Sequence, residues 1–406
     1  MRIRSITYFC NPGFPLDEKK IQAAGSFLTE AKAAYETAGF EVQSTRLATL
    51  PFMQMIGPDR LGEAPRYAQA VEKLIHTAGI AYASLGPAQP EIADSYRVIP
   101  EAIAATQNIF FSGVAADARF GIALPAIQAC AEVITRCATI SPDGFANLRF
   151  AALANVKPGS PFFPAAYRED GEQAFALATE AADVAVQVFT EAKSVTEGQW
   201  ALAAALEGHA KKLTAVSDEL SRKYSIVFGG IDYSLAPFPE QSRSIGTAME
   251  RMGVGRAGQH GSLAAAAILI EAAERARFPR AGFSGLMLPV LEDAVLAQRA
   301  GEGTLTVKDL LLYSTVCGTG LDTVPLPGDT TPGQIAAVLL DLSALALRLD
   351  KPLTARLMPI PGKKAGDPTN FDFDYFANSR VMSLEAADLQ PLFTETRRFM
   401  LSPRRP

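Results

Sequence analysis

The first half of the chain alternates short strand-like runs with longer stretches of helical periodicity. "IRSITYF" is typical of a strand, and Asp17 then caps a helix in which Ile21 and Leu28 share one apolar stripe. Gly39 ends this helix, and "FEVQSTRL" returns as a strand. Strand–helix–strand units of this kind make right-handed crossovers and build parallel sheets. Because the pattern recurs along the chain, we expect a large α/β protein.

A break in the alternation divides the chain. Residues 172–222 read as two consecutive long helices, after which strands and helices alternate again. We therefore predict a first α/β half at 1–170, a helical insertion at 171–223 and a second α/β half at 224–406 that carries most of the motifs. Roughly nine strands favour one large assembly, and a regular eight-fold barrel fits this count and the insertion poorly.

The charge distribution limits the classes of partner. The 38 basic and 43 acidic residues are spread without long runs of one sign, so no nucleic-acid partner is expected. The apolar run "LAAAAILIEAA" is far shorter than the roughly 20 residues needed to span a bilayer. The first residues, "MRIRSITYFCNPG", contain only the short apolar run "ITYFC", which is too short for the hydrophobic region of a secretory signal. We expect a cytoplasmic protein with a small-molecule ligand and no membrane partner. The sequence leaves open whether the protein forms a homo-oligomer.

Polar residues directly follow the strand predicted at "YSIVFGGI" and directly precede the strand predicted at "GLMLPVL". Asp232 and Ser234 lie on one side of an extended segment, where a carboxylate serves as a base, as a ligand or only as the organiser of its own turn. Ser284 stands in "GFSGL", which is not the G-x-S-x-G elbow of a serine hydrolase, so a nucleophilic serine is poorly supported. We expect Ser284 and Ser234 to contact the substrate.

Two further segments carry candidate residues. His260 in "GRAGQHGSL" is flanked by glycines just before an apolar helix, a setting that favours general acid–base catalysis. "PIPGKKAGDP" places Lys363, Lys364 and Asp367 in a glycine-bounded loop that suits either an anionic ligand or a solvated turn. The P-loop pattern is missing from it.

Metal binding is a weaker alternative. Glu292 and Asp293 stand at a helix start, where acids are expected from helix electrostatics alone. Together with His260 and Asp232 they would form a hard-ligand set for a divalent metal, although no HExxH or paired Cys/His spacing exists. The cofactor therefore stays unknown. The four cysteines show no CxxC spacing, and reduced thiols are expected.

Five stretches of the second half, in this order, resemble the domain of unknown function 711 family: "GGIDYSLAPFP", "MERMGVGRAGQHGSLAAAAIL", "GFSGLMLPVLED", "STVCGTGLDTVPLPGDTTPGQIAAVLLD" and "LMPIPGKKAGD". That family is similar in fold to pyruvate formate-lyase and other glycyl radical enzymes. The resemblance implies a ten-stranded α/β barrel with a cysteine on a central loop, which Cys317 would supply. Glycyl radical chemistry also needs a late glycine, and no glycine follows Gly366 in this sequence, so we do not expect a radical mechanism.

These observations favour an enzyme that acts on a small carboxylated or hydroxylated metabolite in a barrel cavity. Cys317 would be the nucleophile or proton donor and His260 the general acid–base, while Asp232 would orient or accept a proton. A metal-dependent hydrolase or lyase and a non-catalytic metabolite-binding protein are the alternatives.

Overall fold

The strands of both halves of the chain contribute to one mixed sheet. The computed structural model describes residues 1–404; Arg405 and Pro406, which end the predicted second half, lie outside the described residues. The strands are β1 (Arg2–Phe9), β2 (Thr45–Ala48), β3 (Tyr82–Ala88), β4 (Ile109–Asp117), β5 (Gly121–Ala123), β6 (Phe150–Ala154), β7 (Ala174–Glu180), β8 (Val227–Ala236), β9 (Gly320–Pro327), β10 (Leu353–Ile360) and β11 (Arg398–Phe399).

The strand order is β8-β7-β1-β2-β3-β4-β6-β10-β9. β1, β2, β3, β4 and β6 run parallel to one another, as the strand–helix alternation of the first half predicts. The pair β7–β8 and the pair β9–β10 are each parallel, and each joins the central strands in antiparallel fashion. β5 pairs antiparallel with the end of β4, and β11 pairs antiparallel with β5.

Helices cover the outer face of the sheet. They are α1 (Glu18–Thr37), α2 (Phe52–Ile56), α3 (Ala64–Thr77), α4 (Ile99–Ala104), α5 (Leu124–Ala138), α6 (Ala182–Glu191), α7 (Val195–Tyr224), α8 (Ile245–Arg251), α9 (Ser262–Arg275), α10 (Ala294–Glu302), α11 (Val307–Tyr313), α12 (Pro332–Arg348) and α13 (Pro391–Thr394). Asp17 caps α1 as expected, through a hydrogen bond from the backbone of Lys19. No helix within residues 1–404 has both the length and the apolar character needed to cross a bilayer.

The prediction that residues 172–222 are entirely helical is wrong at its start. Residues 174–180, "AFALATE", form β7, which lies between β1 and β8. Alanine favours helices in isolation. In the structure, Phe175 and Leu177 pack with the helices, whereas Ala176 and Ala178 face the opposite side of the sheet. Pairing with two neighbouring strands outweighs the helical preference of these alanines.

The segment 279–291 lies between the two outermost strands of the sheet. It was predicted as a strand at "GLMLPVL", but it makes only single bridges, one from Arg280 to Ile231 of β8 and one from Pro289 to Asp322 of β9. Backbone bonds from Met287 to β8 and from Val290 to β9 add to them. The paired strands alone therefore form an open sheet.

The aromatic loop 157–168 lies against the inner face of the sheet. The hydroxyl of Ser84 donates to the carbonyl of Ala166 at 2.7 Å, and that of Thr7 donates to Pro161 at 2.8 Å. These small polar side chains alternate along their strands with apolar residues that face the helices. The loop thus fills part of the interior and limits the space left there for a ligand.

Candidate functional site

A cavity of about 500 Å³ lies between the inner face of the sheet, the loop 157–168 and the C-terminal segment. Its wall carries charged or aromatic residues from many strands, listed in chain order: Arg4 (β1), Arg46 (β2), Tyr82 (β3), Phe110 (β4), Asp322 (β9) and Arg356 (β10). Glu292, which follows the segment 279–291, completes the charged wall. Because side chains alternate along a strand, one charged residue in each of several strands converges on one interior.

Arg356 joins two carboxylates in this wall. Its Nε donates to Asp322 Oδ1 at 2.6 Å, and a terminal nitrogen donates to Glu292 Oε1 at 2.6 Å. Arg4 donates to the other oxygen of Glu292. Glu292 is thus held by two guanidinium groups and Asp322 by one, and at most 12% of each of these side chains is exposed.

The two carboxylates have different electrostatic surroundings. Burial alone would raise the pKa of Glu292, but Arg4 and Arg356 outweigh it and hold that pKa below its ordinary value. Burial raises the pKa of Asp322, and the nearby charge of Glu292 adds to this, although Arg356 opposes it. Neighbouring carboxylates with pKa values pushed in opposite directions are a common arrangement in acid–base catalysis.

Arg46 has no acidic partner. Its Nε donates to the hydroxyl of Ser44 at 2.9 Å, and within residues 1–404 neither terminal nitrogen has a hydrogen-bond partner. The rings of Tyr82 and Phe163 lie 5.8 and 5.1 Å from the guanidinium. Burial and the charge of Arg4 lower the pKa of Arg46 to about 9, so it remains a cation at neutral pH. Arg46 is thus a half-buried cation whose terminal nitrogens are free to bind an anion.

Aromatic side chains form much of the remaining wall: Phe110, Phe145, Phe162, Phe163, Phe373 and Tyr375. Phe373 and Tyr375 come from the C-terminal stretch "FDFDYF", whose backbone is held by Asn378. The side-chain oxygen of Asn378 accepts from Phe371 N at 2.8 Å, and its nitrogen donates to Phe371 O at 3.0 Å. The C-terminal segment is therefore part of the cavity.

Asp232, Ser234 and Ser284 come together, but outside this cavity wall. Asp232 is fully buried and accepts from the Ser234 hydroxyl at 2.5 Å and from the backbone N–H groups of Phe283 and Ser284 at 2.7 and 2.8 Å. Ser284 has a φ of +40°, and a Cβ at Gly282 would overlap Asp232. In this structure Asp232 holds the loop 281–285 in its conformation.

Cys317 lies beside this loop in the core. A Cβ at Gly285 would meet the backbone of Gly318 at 2.9 Å, so the two loops touch. The thiol is fully buried, and burial raises its pKa. Hydrogen bonds from the backbone of Thr319 and Gly320 and from the Ser314 side chain act in the opposite direction but do not outweigh burial. Cys317 does not line the cavity.

The other predicted residues lie on turns. His260 is exposed on the turn before α9, whereas Cys317 is completely buried. Lys363 and Lys364 are in a turn after β10, where Lys364 N donates to Asp367 Oδ2 at 2.7 Å. Neither lysine lines the cavity.

Glu292 and Asp293 are adjacent in sequence but have separate surroundings. Asp293 caps α10 through Val295 N at 2.9 Å and binds Ile245 N of α8 at 2.6 Å, whereas Glu292 binds the arginines. In the part of the chain that the structure describes, no group of three or more His, Cys, Asp or Glu side chains is arranged to hold a metal ion. The four predicted ligands do not form one set there.

Sequence reasoning missed the arginines and Asp322. The signal was a single charged residue inside an otherwise apolar strand, as in "STRLATL", "LTARLMPI" and "GLDTVPL". Burying such a charge without a partner is costly, so a lone charge in a buried strand predicts an interior charged site. Which charges meet depends on the order of the strands.

The comparisons with known proteins agree on one family. The model of the family described as "Uncharacterised ACR (DUF711)" matches residues 1–378. A "UPF0210 protein" of Pyrobaculum arsenaticum is 32% identical, over 81% of this chain and 76% of its own length. Those of Ruminiclostridium cellulolyticum and Neisseria meningitidis serogroup C are 27% and 29% identical, over 89% and 87% of this chain and 85% and 81% of their own lengths. The resemblance seen in the five sequence stretches is confirmed, and the chain belongs to the DUF711 family of uncharacterised proteins.

Proposed function

We propose that the protein is an enzyme that binds a small carboxylated metabolite in the cavity and moves a proton to or from it by polar, non-radical chemistry. One observation carries this proposal. The unpartnered terminal nitrogens of Arg46 belong to the same cavity wall as two carboxylates whose pKa values are shifted in opposite directions.

Arg46 is the proposed anchor for the substrate carboxylate. A guanidinium binds a carboxylate through two parallel N–H···O bonds, and Arg46 has two terminal nitrogens for this purpose. Arg4 and Arg356 already bind Glu292 or Asp322. Arg149, the fourth arginine of the wall, uses one terminal nitrogen for the carbonyl of Thr106. Among the described arginines of this wall, Arg46 alone has both terminal nitrogens free, so the anion goes to Arg46 and the two paired arginines keep the acid residues in place.

Asp322 is the proposed proton carrier. Its raised pKa means that its neutral form persists to a higher pH than an ordinary aspartate, so it donates a proton when neutral and accepts one when ionised. Glu292 stays ionised between Arg4 and Arg356 and stabilises positive charge nearby. Cys317 is not needed in this mechanism, because its thiol is buried away from the cavity.

The proposal includes a closed barrel, as the resemblance to the pyruvate formate-lyase fold implies. Its support is that the central strands β1 to β4 and the strands β10 and β9 at one end of the sheet, together with Met287 and Glu292, line one cavity. The segment 279–291, which bridges β8 and β9, would complete the wall. Cytoplasmic location and a homo-oligomeric state stay predictions.

The experiment compares binding and turnover in matched variants. A panel of small carboxylic acids is screened for heat of binding by calorimetry, and mixtures with each binder are followed by proton NMR. Arg46→Met should abolish binding, whereas Arg66→Met, which changes an exposed arginine on α3, should not. Asp322→Asn should keep binding and lose conversion, with Asp329→Asn at an exposed turn as its control.

Two results would count against the enzyme. Carboxylates that bind Arg46→Met as tightly as the unmodified protein would show that Arg46 is not the anchor. A bound carboxylate recovered unchanged after long incubation would favour the alternative of a non-catalytic binding protein.

A further inference from the structure

We infer that the ligand whose carboxylate binds Arg46 carries a flat aromatic group beside that carboxylate. This inference rests on the proposed function and adds the substrate class. It follows from the free terminal nitrogens of Arg46 and from the rings that surround them.

Arg46 is the arginine of the cavity wall whose two terminal nitrogens are both free. Arg4 and Arg356 bind Glu292 and Asp322. Arg149, which also belongs to the wall, has no acidic partner and uses one terminal nitrogen to donate to the carbonyl of Thr106 at 2.7 Å. Among the described arginines of this wall, Arg46 alone therefore offers both terminal nitrogens to a carboxylate.

The surroundings of Arg46 are aromatic. The rings of Tyr82 and Phe163 both lie over its guanidinium, and both contact Phe110, with ring centroids 5.5 and 5.3 Å from that of Phe110. A carboxylate bound by two N–H groups lies close to the plane of the guanidinium, so the atoms next to it emerge beside these rings. Aromatic groups favour edge-to-face or offset contacts with such rings.

The C-terminal segment extends this surface. Phe373 and Tyr375 line the cavity. Burial is the main reason why the pKa of Tyr375 is raised, and Tyr82 and Arg46 lie near enough to affect that pKa as well. Phe145 lies 5.1 Å from Phe373, centroid to centroid. The ligand body thus contacts rings contributed by strands, a loop and the C-terminal segment. A volume of about 500 Å³ lies within the usual range for small-molecule sites.

The test measures binding of three probes to the full chain by isothermal titration calorimetry at neutral pH: 3-phenylpropionate, butyrate and glutarate. We expect 3-phenylpropionate to bind about tenfold more tightly than either of the others, because only it has a ring that fills the aromatic space. Phe373→Leu should weaken its binding several-fold and leave butyrate unchanged. Phe393→Leu, at a partly exposed phenylalanine of α13, is the matched control, and Tyr375→Leu is a second variant in case Phe373→Leu fails to fold.

The outcomes separate this inference from the proposed function. Equal affinities for the three probes, all lost in Arg46→Met, would overturn the aromatic class and leave the carboxylate anchor in place. Binding of glutarate as tight as that of 3-phenylpropionate would likewise overturn the aromatic class. No heat with any probe, or binding that Arg46→Met does not change, would overturn both.

Discussion

The Nε atom of Arg356 donates to Oδ1 of Asp322 at 2.6 Å, across the parallel pair formed by β10 and β9. The other branch of the same guanidinium binds Glu292. Two carboxylates are thus held in the interior by one arginine, and the site depends on the pairing of these two strands.

Replacing Arg356 by methionine should strongly destabilise the protein. The change leaves Asp322 without its guanidinium partner and Glu292 with only Arg4, and breaking a buried ion pair from one side costs about 3–5 kcal/mol. Urea unfolding at neutral pH measures the free energy. The control is Arg66→Met at an exposed position, and an equal effect in both variants would contradict this account.

Asp293 should contribute more to stability than an ordinary helix cap. It caps α10 and also binds the Ser244 hydroxyl and the backbone N–H of Ile245 at the start of α8. Because Asp293→Ala leaves buried N–H groups unpaired at two helices, we expect a loss of about 2–4 kcal/mol. Asp17→Ala, which removes the exposed cap of α1, should cost only about 1 kcal/mol or less. Chemical unfolding of the two variants makes the comparison, and a cost for Asp293→Ala no larger than for Asp17→Ala would refute it.

Asp232 should make the free energy of unfolding depend on pH in the acidic range. Burial raises the pKa of Asp232 to about 7, despite the opposing hydrogen bonds from Ser234 and the loop backbone. In the unfolded chain the pKa is near its ordinary value of about 3.9. Between these values the folded state holds the proton and the unfolded state releases it, so stability falls as pH rises.

Asp232→Asn removes this titration. The free energy of unfolding of the unmodified protein should therefore fall relative to that of Asp232→Asn by up to about 1.4 kcal/mol per pH unit between pH 4 and 7. Urea unfolding at several pH values measures the difference, with Asp329→Asn at an exposed site as control. A constant difference between the two proteins across this range would show that Asp232 is ionised throughout.

The thiols should be unreactive in the folded protein. All four cysteines are buried, and burial raises the pKa of each of them, including Cys317. A thiol-specific reagent such as dithionitrobenzoate should give almost no reaction at neutral pH and four equivalents in denaturant. Rapid modification of Cys317 in the native protein, identified by mass spectrometry, would restore the prediction that it acts as a nucleophile.

Helix and strand positions in the first half follow from local patterns. The helix at Glu18–Thr37 and its cap were predictable because apolar periodicity and a capping aspartate act over a few residues. β7 was not predictable in this way, since its alanines favour a helix until two neighbouring strands pair with it. Long-range pairing decided that element.

The candidate site divides in the same way. Asp232, Ser234 and Ser284 were recognised because they stand in unusual glycine- and proline-rich stretches, and the structure groups them around one carboxylate. The arginine and carboxylate groups of the cavity come from residues as far apart as Arg4 and Arg356. No pattern within a short stretch of sequence predicts that residues so far apart in the chain line one cavity.

The sequence by itself determined the α/β class, the strands of the parallel core and the family, because these depend on periodicity, capping and motifs of neighbouring residues. Only the tertiary structure decided which charges share an interior. It left Arg46 without an acid partner among the described residues while Arg4 and Arg356 gained theirs. The physical reason is that the strand order in space, which no short stretch of sequence encodes, sets which charged side chains lie close enough to pair.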